Sequence, residues 1–364
     1  MKYLIATIIC IIATFTVACA QAPSFYKPPV KLDDGWQVSH WKDHQIDTTR
    51  FIKLLEQLQK NTHQIHSFLL IKDDQLIVEA YYDQYTVNSL HDLRSVTKSI
   101  TTLLMGIAID KGFIESIDDP IFKYLPALRP QKDFIQKKEI TIRHLLTMST
   151  GLDCNDWDKQ SKGQEDRAYK KKDLLQYFID LPVAHPPGTI AQYCTLGQIL
   201  ANEIISQAAN MPIDAFAQQY LFTPLGITDV EWHHTTKRSN IPLAAKRLYL
   251  TPRAMAKIGQ LMLDKGKWKG QTIVSAQWLT LATTPQVKIT GIDYGFYWWQ
   301  IPFQVNDKEV VSVVATGNGG QYIFTFPSLR LVVVFTGGAY NKPEDKVPFS
   351  IIKEVCLPAF MNKE

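Results

Sequence analysis

The stretch RSVTKSITTLL, Arg94 to Leu104, sets a serine three residues ahead of a lysine at the point where an apolar run of helical period begins. Residues i and i+3 share one face of a helix, so the Lys98 ammonium is within reach of the Ser95 hydroxyl. At the first turn of a helix the macrodipole favours negative charge, which assists a developing alkoxide. A lysine partly buried there loses solvation of its charged form and is disposed to accept the serine proton. The plain alternative is an N-cap serine followed by an unrelated lysine, because a serine at a helix start is usually a cap and S-x-x-K is common by chance. The rest of the chain decides between these readings.

Upstream, HSFLLIK and QLIVEAYY flank Asp73-Asp74 as two apolar runs around a tight turn, a β-hairpin pattern. TRFIKLLEQLQKN before it has the spacing of an amphipathic helix. Downstream the texture is helical: SVTKSITTLLMGIAIDKG stops at Gly112, and TIRHLLTMSTG, KKDLLQYFIDL, TLGQILANEIISQAAN and TPRAMAKIGQLMLDKG follow, separated by Pro and Gly. Strands return late, in VVSVVATG, GQYIFTFP and RLVVVFTGG, and VPFSIIKEVCLPAF closes the chain as a helix. Strands at both ends with helices between predict an α/β (α+β) fold. In it, an antiparallel sheet assembled from residues 45–92 and 235–364 is flanked by helices, and residues 93–234 form an all-helical insertion. The aromatic run YGFYWWQIPF is expected to fill the packing surface of that sheet.

Composition excludes several classes. The 364 residues are 46% hydrophobic and 20% charged, with a formal net charge of +4 spread along the chain. Lys170-Lys171-Lys172 is too short a cluster for a nucleic-acid footprint. Residues 1–20, MKYLIATIICIIATFTVACA, read as a secretory signal with cleavage after Ala18-Cys19-Ala20, and the mature chain is expected to lack a transmembrane anchor. The expected location is periplasmic; a lipid-anchored chain through Cys19 is the alternative. Export leaves Cys154, Cys194 and Cys356 in an oxidising compartment, a count that suits one pair and one spare. No metal or organic cofactor is expected. The His63/His66 and His233-His234 pairs lack a third ligand at useful spacing, and there is no C-x-x-C, H-E-x-x-H or P-loop.

Two later stretches complete the pattern. PPGTIAQYCTLGQILANEII places Tyr193 in a loop directly before a helix, and ATGNGGQYIFTFP puts a glycine-rich turn at the entry to a strand. With RSVTKSITTLLMGIAIDKGFI, ITIRHLLTMSTGL and RAMAKIGQLMLDKGKWKGQTIVS, and in this chain order, they resemble the serine β-lactamase and penicillin-binding-protein-like hydrolases. The GNGGQ turn and YCT are most similar to the 6-aminohexanoate-dimer hydrolase branch. TMSTG around Ser149 is a near miss for the G-x-S-x-G nucleophile elbow, with Thr147 at the first glycine.

The resemblance implies a nucleophile at Ser95, its base at Lys98 and a proton shuttle at Tyr193. It implies substrate contacts at Thr195, Asn318, Gly319, Gly320 and Gln321, with an oxyanion hole from the backbone N–H groups of Ser95 and Gln321. Two departures stand out. Thr195 replaces the asparagine of the family's Tyr-x-Asn element, and Asn318-Gly319-Gly320 is taken for its Lys-Thr-Gly element, without the cation that pairs with a carboxylate. The expected function is therefore an exported serine hydrolase of small amides or esters. A β-lactamase or DD-peptidase and a non-catalytic penicillin-binding-like receptor are the alternatives, and the sequence leaves the oligomeric state open. The family's layout also puts Cys154 and Cys194 on one rim of the cleft, implying a disulfide, with Cys356 buried and unpaired.

Overall fold

The computed structural model describes residues 25–361 except 45, 61–62, 131 and 235–244; the signal segment and Cys10 and Cys19 lie outside the described residues. Its centre is a nine-stranded sheet. In chain order the strands are β1 (Gln37–Val38), β2 (Ile65–Lys72), β3 (Gln75–Tyr81), β4 (Val287–Ile289), β5 (Ile292–Tyr294), β6 (Trp299–Val305), β7 (Lys308–Gly317), β8 (Gln321–Phe326) and β9 (Leu331–Gly337). Their spatial order is β1-β3-β2-β9-β8-β7-β6-β5-β4, so the amino-terminal hairpin joins the late strands through β2 against β9. Every neighbouring pair is antiparallel except the two-residue edge strand β1, which runs parallel to β3. The hairpin turn needs two left-handed residues, and Asp73 (φ 47°) and Asp74 (φ 67°) supply them, as short polar side chains tolerate that region best after glycine.

Four helices fix the site. Helix α1 (Thr48–Leu58), capped by Asp47, buries Phe51, Leu54, Leu55 and Leu58. Helix α2 (Val96–Asp110) is buried on every face from Val96 to Ala108, as a core helix with apolar residues all round must be. Its hydroxyls are satisfied inside the protein: Ser99 and Thr102 donate to the carbonyls of Tyr297 and Phe296 at 2.6 Å each, and Thr101 donates to Asn202 at 2.9 Å. At Gly106 any Cβ would strike the Trp278 indole, which lies against the helix and donates to the Thr102 carbonyl at 3.0 Å. Helix α3 (Thr195–Ala209) packs beside α2 and ends at Asn210 in the left-handed conformation. Helix α4 (Pro252–Leu263), with Thr251 as its cap, covers the sheet over β8 and β9.

Some expectations were too simple. TIRHLLTMSTG makes only one short helix, Ile142–Leu146, because Met148 takes a positive φ (59°) and turns the chain out of the helix. The closing helix is broken by a π segment, Ile352–Cys356, just before Pro358. Pro358 has no N–H for the carbonyl of Glu354, which instead accepts from the Arg50 guanidinium at 3.1 Å. A small second sheet of His91–Asp92, Val230–His234 and Ala245–Leu250 was not foreseen, its strands being short and largely polar.

Candidate active site

Ser95 sits at the amino end of α2, entered through a strained step: Arg94 has φ 50°. That step is held on several sides. The Arg94 N–H donates to Asp92 at 3.0 Å, its guanidinium pairs with the same carboxylate and lies 4.6 Å from the Tyr340 ring centre, and Arg247 pairs with Asp92 at 3.1 Å. Held this way, the turn presents the serine to a cleft. The helix then places Lys98 one turn on, 3% exposed, with its Nζ 3.0 Å from Ser95 Oγ. The same ammonium donates to Thr195 Oγ1 at 2.9 Å.

Tyr193 and Thr195 arrive from the other side, at the start of α3. The Tyr193 ring stacks nearly parallel to Trp157 at 4.9 Å and lies 6.1 Å from Trp299, the two indoles being 6.5 Å from each other, and Lys98 Nζ lies 5.0 Å from its centre. This stacking leaves the ring face toward Lys98 Nζ, and among the described residues the Tyr193 hydroxyl makes no hydrogen bond. Catalytic hydrogen bonds in unliganded sites are commonly loose in this way.

Thr195 leads to a residue the sequence reading missed. Its Oγ1 donates to Asp156 Oδ2 at 2.7 Å and its N–H to the same oxygen at 2.8 Å. Burial pushes the Asp156 carboxyl up to about 6, against the opposing pull of Lys98 and the Thr195 hydrogen bonds. A signal for it was present. Asp156 lies two residues after Cys154 and Thr195 one residue after Cys194, so pairing those cysteines brings the two together.

The Cys154 and Cys194 sulfurs are bonded, with Cα atoms 5.4 Å apart, and Cys356 is a buried free thiol. The bond ties the Asp156–Trp157 segment to the Tyr193 loop, where Asp156 N–H also donates to the Tyr193 carbonyl at 2.8 Å. Closing a loop across 40 positions is worth about 4 kcal/mol by chain entropy. The Cys154→Ser/Cys194→Ser double variant should therefore melt several degrees lower in calorimetry and lose activity below its new transition as the Trp157–Tyr193 stack loosens. An unchanged melting temperature would show that the bond contributes nothing.

The third wall is the end of β7. Gly317 is needed here, because a Cβ would lie 2.4 Å from the Leu93 carbonyl and 3.3 Å from Arg94 Cβ. The strand edge therefore runs directly beside Ser95, and Thr316, Gly317 and Asn318 line the cleft with it. Gly319, Gly320 and Gln321, expected as substrate contacts, do not line it. Both glycines take φ 94° and turn the chain toward Ala339, whose N–H donates to the Gly319 carbonyl at 3.1 Å. The Gln321 side chain is buried and bonds both ways with the Gly337 backbone. The Asn318 amide is likewise occupied, in a reciprocal pair with Asn341 at 2.7 and 2.9 Å. The overlooked signal is Ala315-Thr316-Gly317, which keeps two of the three Lys-Thr-Gly residues in line. Among the described residues the backbone N–H groups of Ser95 and Asn318 donate to no acceptor.

The cleft encloses about 440 Å³. Asp156, Glu165, Asp166 and Asp345 line it against Lys342 and Lys346, together with Trp157, Tyr193, Trp299 and Tyr322. Tyr294, Phe296, Tyr297 and Trp298 are core as expected, but Trp299 faces the cleft, so the aromatic run serves both purposes. A roomier hollow of about 760 Å³ around Trp36 and Trp268 shares no residue with this cleft. Ser149 is buried and bonded to Thr147 at 2.8 Å. Among the described residues no group of three or more His, Cys, Asp or Glu side chains is placed to hold a metal ion.

The Beta-lactamase family model matches residues 51–353. The chain is 22% identical over 290 residues to the 6-aminohexanoate-dimer hydrolase of Paenarthrobacter ureafaciens, covering 74% of this chain and 71% of that one. It is 25% identical over 158 residues to Beta-lactamase-like protein 2 of Dictyostelium discoideum, covering 41% of this chain and only 27% of that much longer relative. Among solved structures, a putative 6-aminohexanoate-dimer hydrolase from Bacillus anthracis superposes with a TM-score of 0.65 at 18% identity, covering 81% of this chain and 79% of that one.

Proposed function

This chain belongs to the beta-lactamase family of serine hydrolases, and we propose that it is an exported enzyme that opens small amides or esters through an acyl-enzyme on Ser95. The observation that carries this reading is the 3.0 Å contact between Lys98 Nζ and Ser95 Oγ at the floor of the cleft. Lys98 takes the serine proton as Oγ bonds to the acyl carbon. The carbonyl electron pair moves onto oxygen, where the unpartnered N–H groups of Ser95 and Asn318 receive it. As the adduct collapses and the bond to the leaving group breaks, Tyr193 on the opposite wall gives its own hydroxyl proton to that group. It then regains one from the deacylating water, and Lys98 hands the serine proton back as the acyl bond to Ser95 breaks. Export is supported by the Cys154–Cys194 bond, which belongs to an oxidising compartment. No helix of the described residues is long and apolar enough to cross a membrane.

Substrates without a carboxylate fit this cleft best. Ala315 and Asn318 offer no cation on the strand edge. Lys346 is more than half exposed and is already paired with Asp345 at 3.5 Å. The four acids outnumber the two lysines, so the field repels an anionic substrate. The test is a panel of p-nitrophenyl esters, linear amides and nitrocefin that includes matched neutral and carboxylated analogues. Neutral members should show kcat/KM at least equal to their carboxylated partners, with nitrocefin a poor substrate. Strong preference for the carboxylated analogues, or efficient nitrocefin turnover, would move the chain to the β-lactamase reading.

A further inference from the structure

We propose that Asp156 is a positioning residue of this hydrolase, holding Lys98 against Ser95 through the Thr195 hydroxyl. The inference rests on the acyl-enzyme reading and names a part of its machinery. Four atoms form one chain: Ser95 Oγ, Lys98 Nζ at 3.0 Å, Thr195 Oγ1 at 2.9 Å and Asp156 Oδ2 at 2.7 Å. As the free amine that takes the serine proton, Lys98 turns its lone pair to Ser95 and keeps N–H donors for Thr195 Oγ1, whose own proton goes onward. Asp156 Oδ2 is the acceptor of that proton, which fixes the direction of the chain. A threonine alone would leave its hydroxyl free to rotate. Bonded to a carboxylate that also takes the Thr195 N–H, it has one orientation. Thr195 and Asp156 together thus do what a single fixed acceptor would do at that position.

The charge matters as well as the geometry. Asp156 Oδ1 is buried with no partner, so the carboxylate spends its charge inward, toward Lys98 and the start of α3. When Lys98 takes the serine proton, positive charge develops two hydrogen bonds from an anion. A charge-assisted chain of this kind stabilises the ammonium in the transition state more than in the free enzyme. The other titratable groups facing Asp156 are Glu165, which opposes its ionisation, and Tyr169, whose hydroxyl is pushed up by burial first and then by Glu165 and Asp156. Because the Asp156 carboxyl sits at about 6, the ionised form is present above that pH and is lost as the pH falls through it. Rate that depends on the ionised form must fall in the same direction.

The experiment compares wild type with Asp156→Asn, Thr195→Val and the double variant. Each is followed from pH 5 to 8 on a p-nitrophenyl ester at the p-nitrophenol isosbestic wavelength. Asparagine keeps an acceptor for Thr195 and removes only the charge. Its kcat should fall about tenfold to a hundredfold with KM within about threefold, and the acid limb near pH 6 should vanish. Thr195→Val cuts the chain at its middle while Asp156 still caps the helix, and should give a similar loss. Asp156→Asn should then cost little further in the valine background. Wild-type kcat with an intact acid limb in Asp156→Asn overturns the proposal, and so do fully additive losses in the double variant. Fluorophosphonate labelling of Ser95 in every variant separates this inference from its parent. If wild type itself is not labelled there, the acyl-enzyme reading fails and this one falls with it. If wild type is labelled and the variants behave as wild type, only the role of Asp156 is refuted.

Discussion

Ser95→Ala should lower ester and amide turnover by roughly 10⁵-fold and leave the fold as it is. Among the described residues, the hydroxyl is the one group at the floor of the cleft that combines a 3.0 Å base with a neighbouring pair of N–H donors that have no acceptor. Removing it leaves those donors and the aromatic walls, so binding and a residual stabilisation of an attacking water survive. KM for a slow substrate should therefore move little while kcat collapses. Stability should hold, because Ser95 makes no side-chain cap to α2, so alanine deletes no helix-capping bond. The measurement is kcat and KM with a melting curve on the same preparation. Retention of more than about a hundredth of wild-type kcat would place the nucleophile elsewhere.

Lys98→Met should cost on the order of 10³-fold in kcat, the upper part of the range for general acid–base catalysis. Methionine has similar length and fills the same slot, so packing between α2 and α3 is kept. What goes is the acceptor for the serine proton and the donor to Thr195. Lys98 is 3% exposed; methionine removes the cost of burying the amine but also the donor to Thr195 and the charge facing Asp156, so the melting temperature should change little beside the loss in kcat. Loss of activity together with little change in stability is the signature of a group retained for chemistry. A large fall in melting temperature would instead make Lys98 a structural strut.

Much of this site was legible before the fold was known, and the limits have physical causes. The apolar period after Ser95 marks a core helix because burial on all faces demands it, and S-x-x-K at its start fixes two groups on one turn. Tyr193 and Cys194 were readable as the loop before α3. The β7 wall was misplaced by a few residues because glycine runs look alike in sequence. The fold singles out Gly317 as the glycine beside Ser95, where an added Cβ would lie 2.4 Å from the Leu93 carbonyl. Asp156 and Trp157 do not read as chemistry by themselves, because an Asn-Asp-Trp-Asp stretch reads as a polar loop; only the cysteine pairing points from it to Thr195. It is the disulfide and the start of α3 that bring it against Thr195. The π segment before Pro358 and the parallel edge strand β1 depend on tertiary partners with no local signature.

The central claim is a covalent acyl-enzyme on Ser95, and it has one direct measurement. Wild type and Ser95→Ala are incubated with an alkyl fluorophosphonate, their intact masses are recorded, and the adduct is mapped to a peptide. The account predicts one adduct per chain, on Ser95, formed rapidly in wild type and absent from Ser95→Ala, with hydrolysis lost in step. An adduct on another residue such as Ser149, or full hydrolytic activity from a chain that takes up no label, would contradict it.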